Sequence, residues 1–353
     1  MSDRTEAMTR TLDLLVELLG SDRRDAIDQA LASARVRLMV TAADLADART
    51  QAAVYVLTSL LVRSGMSLEA DMAHVVRRVD LPGLAGDDFA TGLAAVVPRM
   101  FPGAEIREPT PNPDAILAFG SVSVDTTPDV IRLSANGSTA SVARGDRASG
   151  KWDPRDSLSA LASAGLAAEE GLKDLLRPLA SSPLDVLEPL EPVFDVPMGV
   201  DGPIDLGRLV VVSAGAISQQ FLLALTAVEG LSAELVMFDR DNTALSNANR
   251  CPYVMVDELG RPKVIAIGDL LPVRIRLTPI PNHLSGETRA SVPPGSAIVV
   301  GADDISVRHL AQRLDPDWLV IGATSHFLAL VTEHPVGEPC AGCAHVRLGD
   351  EIP

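Results

Sequence analysis

The residues best placed to do chemistry lie between Leu209 and Asp239. Leu209–Val212 is a short apolar run rich in β-branched valine, which predicts a buried parallel strand. The small-residue turn Ser213-Ala214-Gly215-Ala216 follows. Ile217–Val228 then places Phe221, Leu222, Leu225 and Val228 on one helical face, and a second strand, Ala233–Phe238, ends at Asp239. Strand, tight turn, helix, strand and acid make the first half of a dinucleotide-type βαβ unit, in which the carboxylate accepts ribose hydroxyls. The glycine fingerprint of such a turn, G-x-G-x-x-G, reads here Ser213-x-Gly215-x-x-Ser218. Only the middle glycine, which lets the backbone approach a phosphate, is kept. Where a positive φ is needed, serine costs roughly 1 kcal/mol or a little more. On these residues alone the stretch is a nucleotide site or a βαβ unit that binds nothing. A nicotinamide-dependent oxidoreductase would use Asp239 in the same way.

The residues after Asp239 add Asp239-Arg240-Asp241, then Ser246-Asn247-Ala248-Asn249-Arg250, then Gly260-Arg261-Pro262-Lys263. Further on, Ile298-Val299-Val300-Gly301-Ala302-Asp303-Asp304 is followed by Arg308. In these motifs and their spacing, from about Leu206 to His345, the chain resembles the ThiF/MoeB/E1 family, enzymes that activate ubiquitin and bacterial sulfur-carrier proteins. The resemblance implies adenylation, which joins a carboxylate to the α-phosphate of ATP and expels pyrophosphate. Charge builds on the phosphates, so cations and preorganised donors must face them. Arg250 offers a planar fork of donors, Lys263 a point charge and Asn247 a neutral donor. Gly215, Asp239 and Asp241 complete the implied nucleotide site, and Asp303 is the implied Mg²⁺ ligand. The substrate's own carboxylate attacks, so the protein's work is positioning and electrostatics. Taken singly, the same residues have plainer readings: Asp239 a strand-end cap, Arg250 and Lys263 solvated loop charges, Asp303 the N-cap of a helix over Ile305–Leu314. A nicotinamide enzyme leaves Arg250, Lys263 and Asp303 unexplained.

The elements that must position these groups sit in a chain of 353 residues, long enough for two domains. With 47% hydrophobic and 22% charged residues it reads as globular. A formal net charge of −17 argues against nucleic acid and anionic membranes as partners. The polar start, the lack of a long apolar run and three cysteines without an even framework predict a cytoplasmic protein with no membrane span.

Helical spacing is found over Met8–Leu19, over Arg24–Leu38 with Ser21 and Asp22 as caps, and over Asp44–Arg63. Phe89–Met100 and Ser157–Leu176 also read as helices. Asp114–Val124 and Val130–Arg144 read as strands, with Asn136-Gly137 as a hairpin turn, and Lys151–Pro154 as a loop. The prolines of Pro178–Pro203 mark a boundary. The expected organisation is α/β: an N-terminal α+β domain of unknown role (residues 1–185), a Pro-rich linker (186–205) and a Rossmann-like E1/ThiF nucleotide-binding domain (206–353), C-terminally incomplete against the family. No internal repeat of fixed period is visible. Beyond Lys263, a short helix over Val264–Leu271 and strands over Val273–Leu277, Ala297–Val300, Trp318–Ile321 and Phe327–Val331 are expected. Pro279–Arg289, with His283 and Glu287, reads as a surface loop.

Cys340 and Cys343 form a C-x-x-C pair. Many relatives bind zinc with two such pairs. The second is absent here, and His334 and His345 would have to complete a four-ligand site, so a metal-free thiol pair is the favoured reading. Cys251 follows Arg250 with no His or Lys placed to activate it, and reads as buried packing. The resemblance implies ATP and Mg²⁺ as cofactors, a homodimer, and as acceptor the C-terminus of a ubiquitin-like or sulfur-carrier protein or a peptide. The alternative is a degenerate ThiF-like scaffold that binds a partner without catalysis.

Overall fold

The computed structural model describes residues 3–124, 130–145, 151–196, 203–325 and 328–335. The chain divides into two compact units, one of residues 1–202, 227–229 and 245–257, the other of residues 203–226, 230–244 and 258–353. Both are mixed α/β.

The first unit contains helices α1 (Asp3–Leu19), α2 (Arg24–Ser33), α3 (Ala42–Leu45), α4 (Ala48–Arg63), α5 (Phe89–Met100) and α6 (Ser157–Leu176). Its strands are β1 (Arg35–Met39), β2 (Ser67–Glu69), β3 (Ile106–Arg107), β4 (Ala115–Phe119), β5 (Val130–Gly137), β6 (Thr139–Arg144), β7 (Trp152–Pro154) and β8 (Val193–Asp195). They form one sheet in the order β3-β2-β1-β4-β5-β6-β8, with β7 also paired to β5. Pairing is parallel from β3 to β5, while β6 and β8 are antiparallel. α4 is buried around its circumference, as a helix apolar on most sides must be. Asp47 caps it, accepting from the amides of Arg49 and Thr50.

Several sequence expectations change here. Arg24–Leu38 is not one helix: α2 ends at Ser33, and Arg35–Met39 is a strand with every second residue buried. Ile27, Leu31, Ala34 and Leu38 fit a helical period, but Arg35-Val36-Arg37-Leu38 also alternates charged with apolar. The pairing of Val36 and Arg37 with both β2 and β4 decides for the strand. Ser21 and Asp22 lie in a short 3₁₀ turn, and no side chain caps α2. Trp152–Pro154 is a strand rather than loop, and β8 falls within residues 186–205 and pairs with β6. In the hairpin the register pairs Asn136 with Thr139, so Gly137, with φ of 62°, and Ser138 form the turn.

The second unit consists of β9 (Ile204–Val212), α7 (Ala216–Ala227), β10 (Leu231–Phe238), α8 (Lys263–Leu270), β11 (Ile275–Ile280), β12 (Ala297–Val300), α9 (Ile305–Gln312), β13 (Trp318–Ser325) and β14 (Leu328–Pro335). The sheet runs β11-β10-β9-β12-β13-β14, parallel except for β14. Val210, Val212, Ile298, Val300, Leu319 and Ile321 form the core of one face. Numbered by appearance within each unit, both sheets contain the path 3-2-1-4-5-6 with the sixth strand antiparallel, which β8 extends by one strand in the first unit. The chain therefore carries one strand order twice, without a visible repeat in sequence.

Candidate functional site

A parallel sheet of this order reverses direction between its first and fourth strands, and ligands bind outside the carboxyl ends of the strands at that switch point. In the second unit the switch lies between β9 and β12. A cavity of about 370 Å³ opens there, lined among others by Val212 at the end of β9, by Phe238 and Asp239 at the end of β10, and by Asp303 beyond β12.

The turn after β9 is held open by specific bonds. The Ser213 amide donates to Phe238 O at 2.9 Å and the Gly301 amide to Val212 O at 3.0 Å. Ser213 has φ of 78°, so a serine occupies a left-handed position where the fingerprint has glycine. Its hydroxyl accepts from the Gly215 amide at 3.2 Å, a local bond that offsets part of the strain. Asp239 is 8% exposed, and its two carboxylate oxygens accept from the amides of Ala214 (2.6 Å) and Asp241 (2.7 Å). It braces the turn as the strand-end cap reading expects, and it also faces the cavity. Each oxygen keeps a second acceptor site.

The third fingerprint position shows a compensation. Ser218, in the first turn of α7, is fully buried and its hydroxyl has no hydrogen-bond partner among the described residues. A Cβ added to Gly301 would stand 2.4 Å from that hydroxyl and 3.2 Å from the Ser218 amide. A Cβ on Gly322 would stand 2.7 Å from Ile217 Cγ2. The fingerprint puts glycine on the helix so that helix and strand can approach. Here the glycines are on β13 and just beyond β12, and the helix carries the side chains.

The charged residues are distributed as follows. Asp239, Asp241, Asp303 and Asp304 line the cavity together with His283, and no lysine or arginine lines it among the described residues. Asp304, not Asp303, caps α9, accepting from the Ser306 amide at 2.8 Å. Lys263 is not a solvated loop charge: it opens α8, is 8% exposed, and donates from Nζ to Asp241 Oδ2 at 3.1 Å. Its amide donates to Asp241 O at 2.9 Å, so backbone and side chain both tie α8 to the Asp239-Arg240-Asp241 loop. Gly215 lies in the turn beside Ser213, and Arg308 donates to Ala302 O at 3.0 Å. The loop read as surface, around His283 and Leu284, lines the cavity, with Leu284 in the core.

Asn247 and Arg250 fall elsewhere. The connection from β10 to α8 passes through residues 245–257, which belong to the first unit. Arg250 is half-buried and donates to Ser246 O (2.6 Å) and Asn249 Oδ1 (2.9 Å). The Asn249 amide nitrogen donates to Thr11 Oγ1 on α1 at 2.7 Å. Cys251 is 2% exposed, in keeping with the packing reading.

The donor set fits a nucleotide in part. Asp239 and the apolar surface of Phe238 and Leu284 suit a ribose and base, whereas phosphate charge meets four aspartates and, among the described residues, no lysine or arginine in the lining. Among the described residues no group of three or more His, Cys, Asp or Glu is gathered to hold a metal by itself. Cys340, Cys343 and His345 lie outside the described residues. His334 is buried, with Nε2 3.0 Å from Thr332 Oγ1. No helix among the described residues is long and apolar enough to cross a membrane.

No family model matches the chain. No curated protein matches it either. Among solved structures it is similar to E. coli MccB with ATP, at 14% identity over 60% of this chain and 75% of that one, with a TM-score of 0.34. It is similar to PaaA at 16% identity over 34% and 38%, TM-score 0.27. It is also similar to the E. coli tRNA N6-threonylcarbamoyladenosine dehydratase TcdA at 20% identity over 33% and 51%, TM-score 0.28. The chain thus spans 38% of PaaA and 51% of TcdA. At these scores the likenesses carry no argument about activity, and the α/β architecture stands on the strand pairing itself.

Proposed function

We propose that the chain binds ATP with Mg²⁺ and adenylates a carboxylate, the C-terminus of a peptide or of a small ubiquitin-like or sulfur-carrier protein. The observation that carries this reading is the cavity at the switch point of the second sheet with Asp239 at its edge. The motifs Asp239-Arg240-Asp241, Ser246-Asn247-x-x-Arg250 and Gly260-x-Pro262-Lys263 support it as a set. ATP supplies the α-phosphorus at which the acceptor oxygen forms its bond as pyrophosphate leaves, and Mg²⁺ neutralises phosphate charge.

The chain's own residues have separate tasks. Asp239 accepts the ribose hydroxyls with the lone pairs its two backbone bonds leave. Gly215 keeps the turn free of a side chain. By their positions in the motifs, Lys263, anchored by Asp241, and Arg250 with Asn247 would supply the phosphates with two cations and a neutral donor, and Asp303 would offer the metal a hard oxygen. Because the lining carries four aspartates and no lysine or arginine among the described residues, phosphate enters only with its charge neutralised. Calorimetry with ATP, with and without Mg²⁺, tests this directly: binding with Mg²⁺ and at least tenfold weaker binding without it is expected. Arg250→Ala and Lys263→Ala should each abolish pyrophosphate exchange in the presence of the acceptor while circular dichroism stays unchanged. Unchanged exchange in both refutes the assignment.

The same acidic lining and the left-handed Ser213 favour a second reading, a scaffold that holds a partner and catalyses nothing. Absence of ATP binding at millimolar Mg²⁺ would select it.

A further inference from the structure

Arg63, the last residue of α4, is 2% exposed. Its Nη1 donates to Met100 O at 2.8 Å, to Ala248 O at 2.7 Å and to Val254 O at 3.0 Å. Its Nη2 donates to Pro252 O at 2.9 Å. Three of these four carbonyls belong to the short stretch 248–254, on both sides of Arg250 and Cys251. Burial pulls the Arg63 pKa down to about 10, with the Tyr55 phenol and Cys251 thiol acting the other way, so it stays charged at neutral pH. A buried cation without a carboxylate partner needs its N–H groups satisfied, and a planar guanidinium can gather several carbonyls into one plane where an ammonium cannot.

A second tie lies beside it. Asn249 donates to Thr11 with its nitrogen and accepts from Arg250 with its oxygen, so the Arg250 guanidinium is linked through one side-chain amide to α1. Backbone and side chain of the Ser246–Arg250 motif are thus both fixed by the first unit.

We infer that Arg63 is a positioning residue: it holds residues 248–254 in one conformation and so presets Arg250. The inference rests on the reading of Arg250 as a nucleotide contact for its second half only, since the clamp on the loop stands apart from any ligand. A preset loop spares the ligand the entropy of ordering it.

The test uses the full chain. Maleimide labelling of Cys251, read on its own peptide by mass spectrometry, reports opening of the loop. Arg63→Met should raise the labelling rate about tenfold or more, with Arg63→Lys in between, since local opening is the step that exposes the thiol. MgATP affinity should fall in Arg63→Met to the level of Arg250→Ala, with no further loss in the double variant, because both act through one group. A purely structural arginine would instead give losses that add. Unchanged Cys251 labelling in Arg63→Met, or additive losses with Arg250→Ala, overturns the proposal. If Arg63→Met does not fold, Thr11→Val decides: it removes only the tie to Asn249 and should weaken MgATP binding severalfold, again without effect in the Arg250→Ala background. If the wild type binds no MgATP, the nucleotide reading has failed, and Cys251 labelling alone still decides whether Arg63 presets the loop.

Discussion

The two units share a strand order and differ in what occupies the crevice that order creates. In the first, β4 pairs with β5 over Val130–Leu133, and β7 pairs with the next residues of β5, Ala135–Gly137. β6 takes the opposite edge of β5, so β7 continues along the track of β4, past its carboxyl end. Trp152 sits there. Its ring meets Phe119 edge-on at 4.6 Å, its Nε1 donates to Thr50 Oγ1 in the first turn of α4 at 2.7 Å, and a Cβ on Gly120 would come within 2.7 Å of its own. The Asp47 carboxylate bonds the first amides of α4, the place where an anionic ligand would find its donors. In the second unit no strand continues β12 among the described residues, and the equivalent space is the cavity. Strand order sets where a ligand would bind; the residues that run on past the fourth strand decide whether anything does.

Removing the plug should have the largest effect on this contrast. Trp152→Ala takes away a ring and a hydrogen bond in a half-buried place, and is expected to cost the first unit about 3 kcal/mol, the low end for such truncations. Trp152→Phe, which keeps the ring contact and loses the bond to Thr50, should cost about 1 kcal/mol. Denaturant titration followed by circular dichroism reads both. A loss under 1 kcal/mol for the alanine variant would mean that Trp152 covers the crevice without filling it.

The glycine exchange of the second unit comes next. Gly301→Ala should cost about 2 kcal/mol through overpacking against Ser218. Ser218→Gly alone removes an unpartnered buried hydroxyl and should be nearly neutral. Together they should cost about 1 kcal/mol less than the sum, because the clash is theirs in common. Strict additivity of the two in thermal unfolding would break the idea that glycine has moved from helix to strand.

How much of this was legible in the sequence follows from the kind of force involved. The second unit's strands and Asp239 could be read because apolar runs ending in D-x-D are local patterns, and Ala297–Val300, Phe89–Met100 and Ser157–Leu176 fall where periodicity put them. β1 was hidden because its alternation begins within two residues of a true helix, with no glycine or proline between. The filled crevice was hidden because Lys151–Pro154 has loop composition, and only pairing with β5 makes part of it a strand. The allegiance of Asn247 and Arg250 was not legible at all: the guanidinium that holds the carbonyl of Ala248 between them lies 185 residues earlier than Ala248. Position in the S-N-x-x-R pattern marks their type, whereas their placement depends on a partner no local window contains.

The first unit should also loosen in acid. Glu69, fully buried at the end of β2, is subject to burial, which raises its pKa, but bonds from the Thr110 hydroxyl and amide and the Arg37 guanidinium prevail and hold it below the usual carboxylate range. A carboxyl depressed on folding contributes stability that is present above its unfolded pKa and is lost as pH falls through the folded value. Glu170, facing Arg144 and Lys173, acts with the same sign. Hydrogen exchange between pH 7 and pH 3 should therefore show the first unit loosening as the pH falls, and Glu69→Gln should flatten that pH dependence. Protection of the first unit that stays constant over this range would contradict it.

The smallest effect concerns the turn itself. Ser213 holds φ of 78° where glycine would sit without strain, but its hydroxyl accepts the Gly215 amide. Ser213→Gly relieves roughly 1 kcal/mol of backbone strain, and gives back part of that through the lost bond and the freer unfolded chain. The net expected gain is at most about 0.5 kcal/mol. The same change frees the Gly215 amide, one of the donors a phosphate would meet at the start of α7, so MgATP affinity should rise or hold while stability barely moves. A fall in affinity with unchanged stability would show that the hydroxyl of Ser213 itself touches the ligand, and that serine at this position is a contact rather than a tolerated departure from glycine.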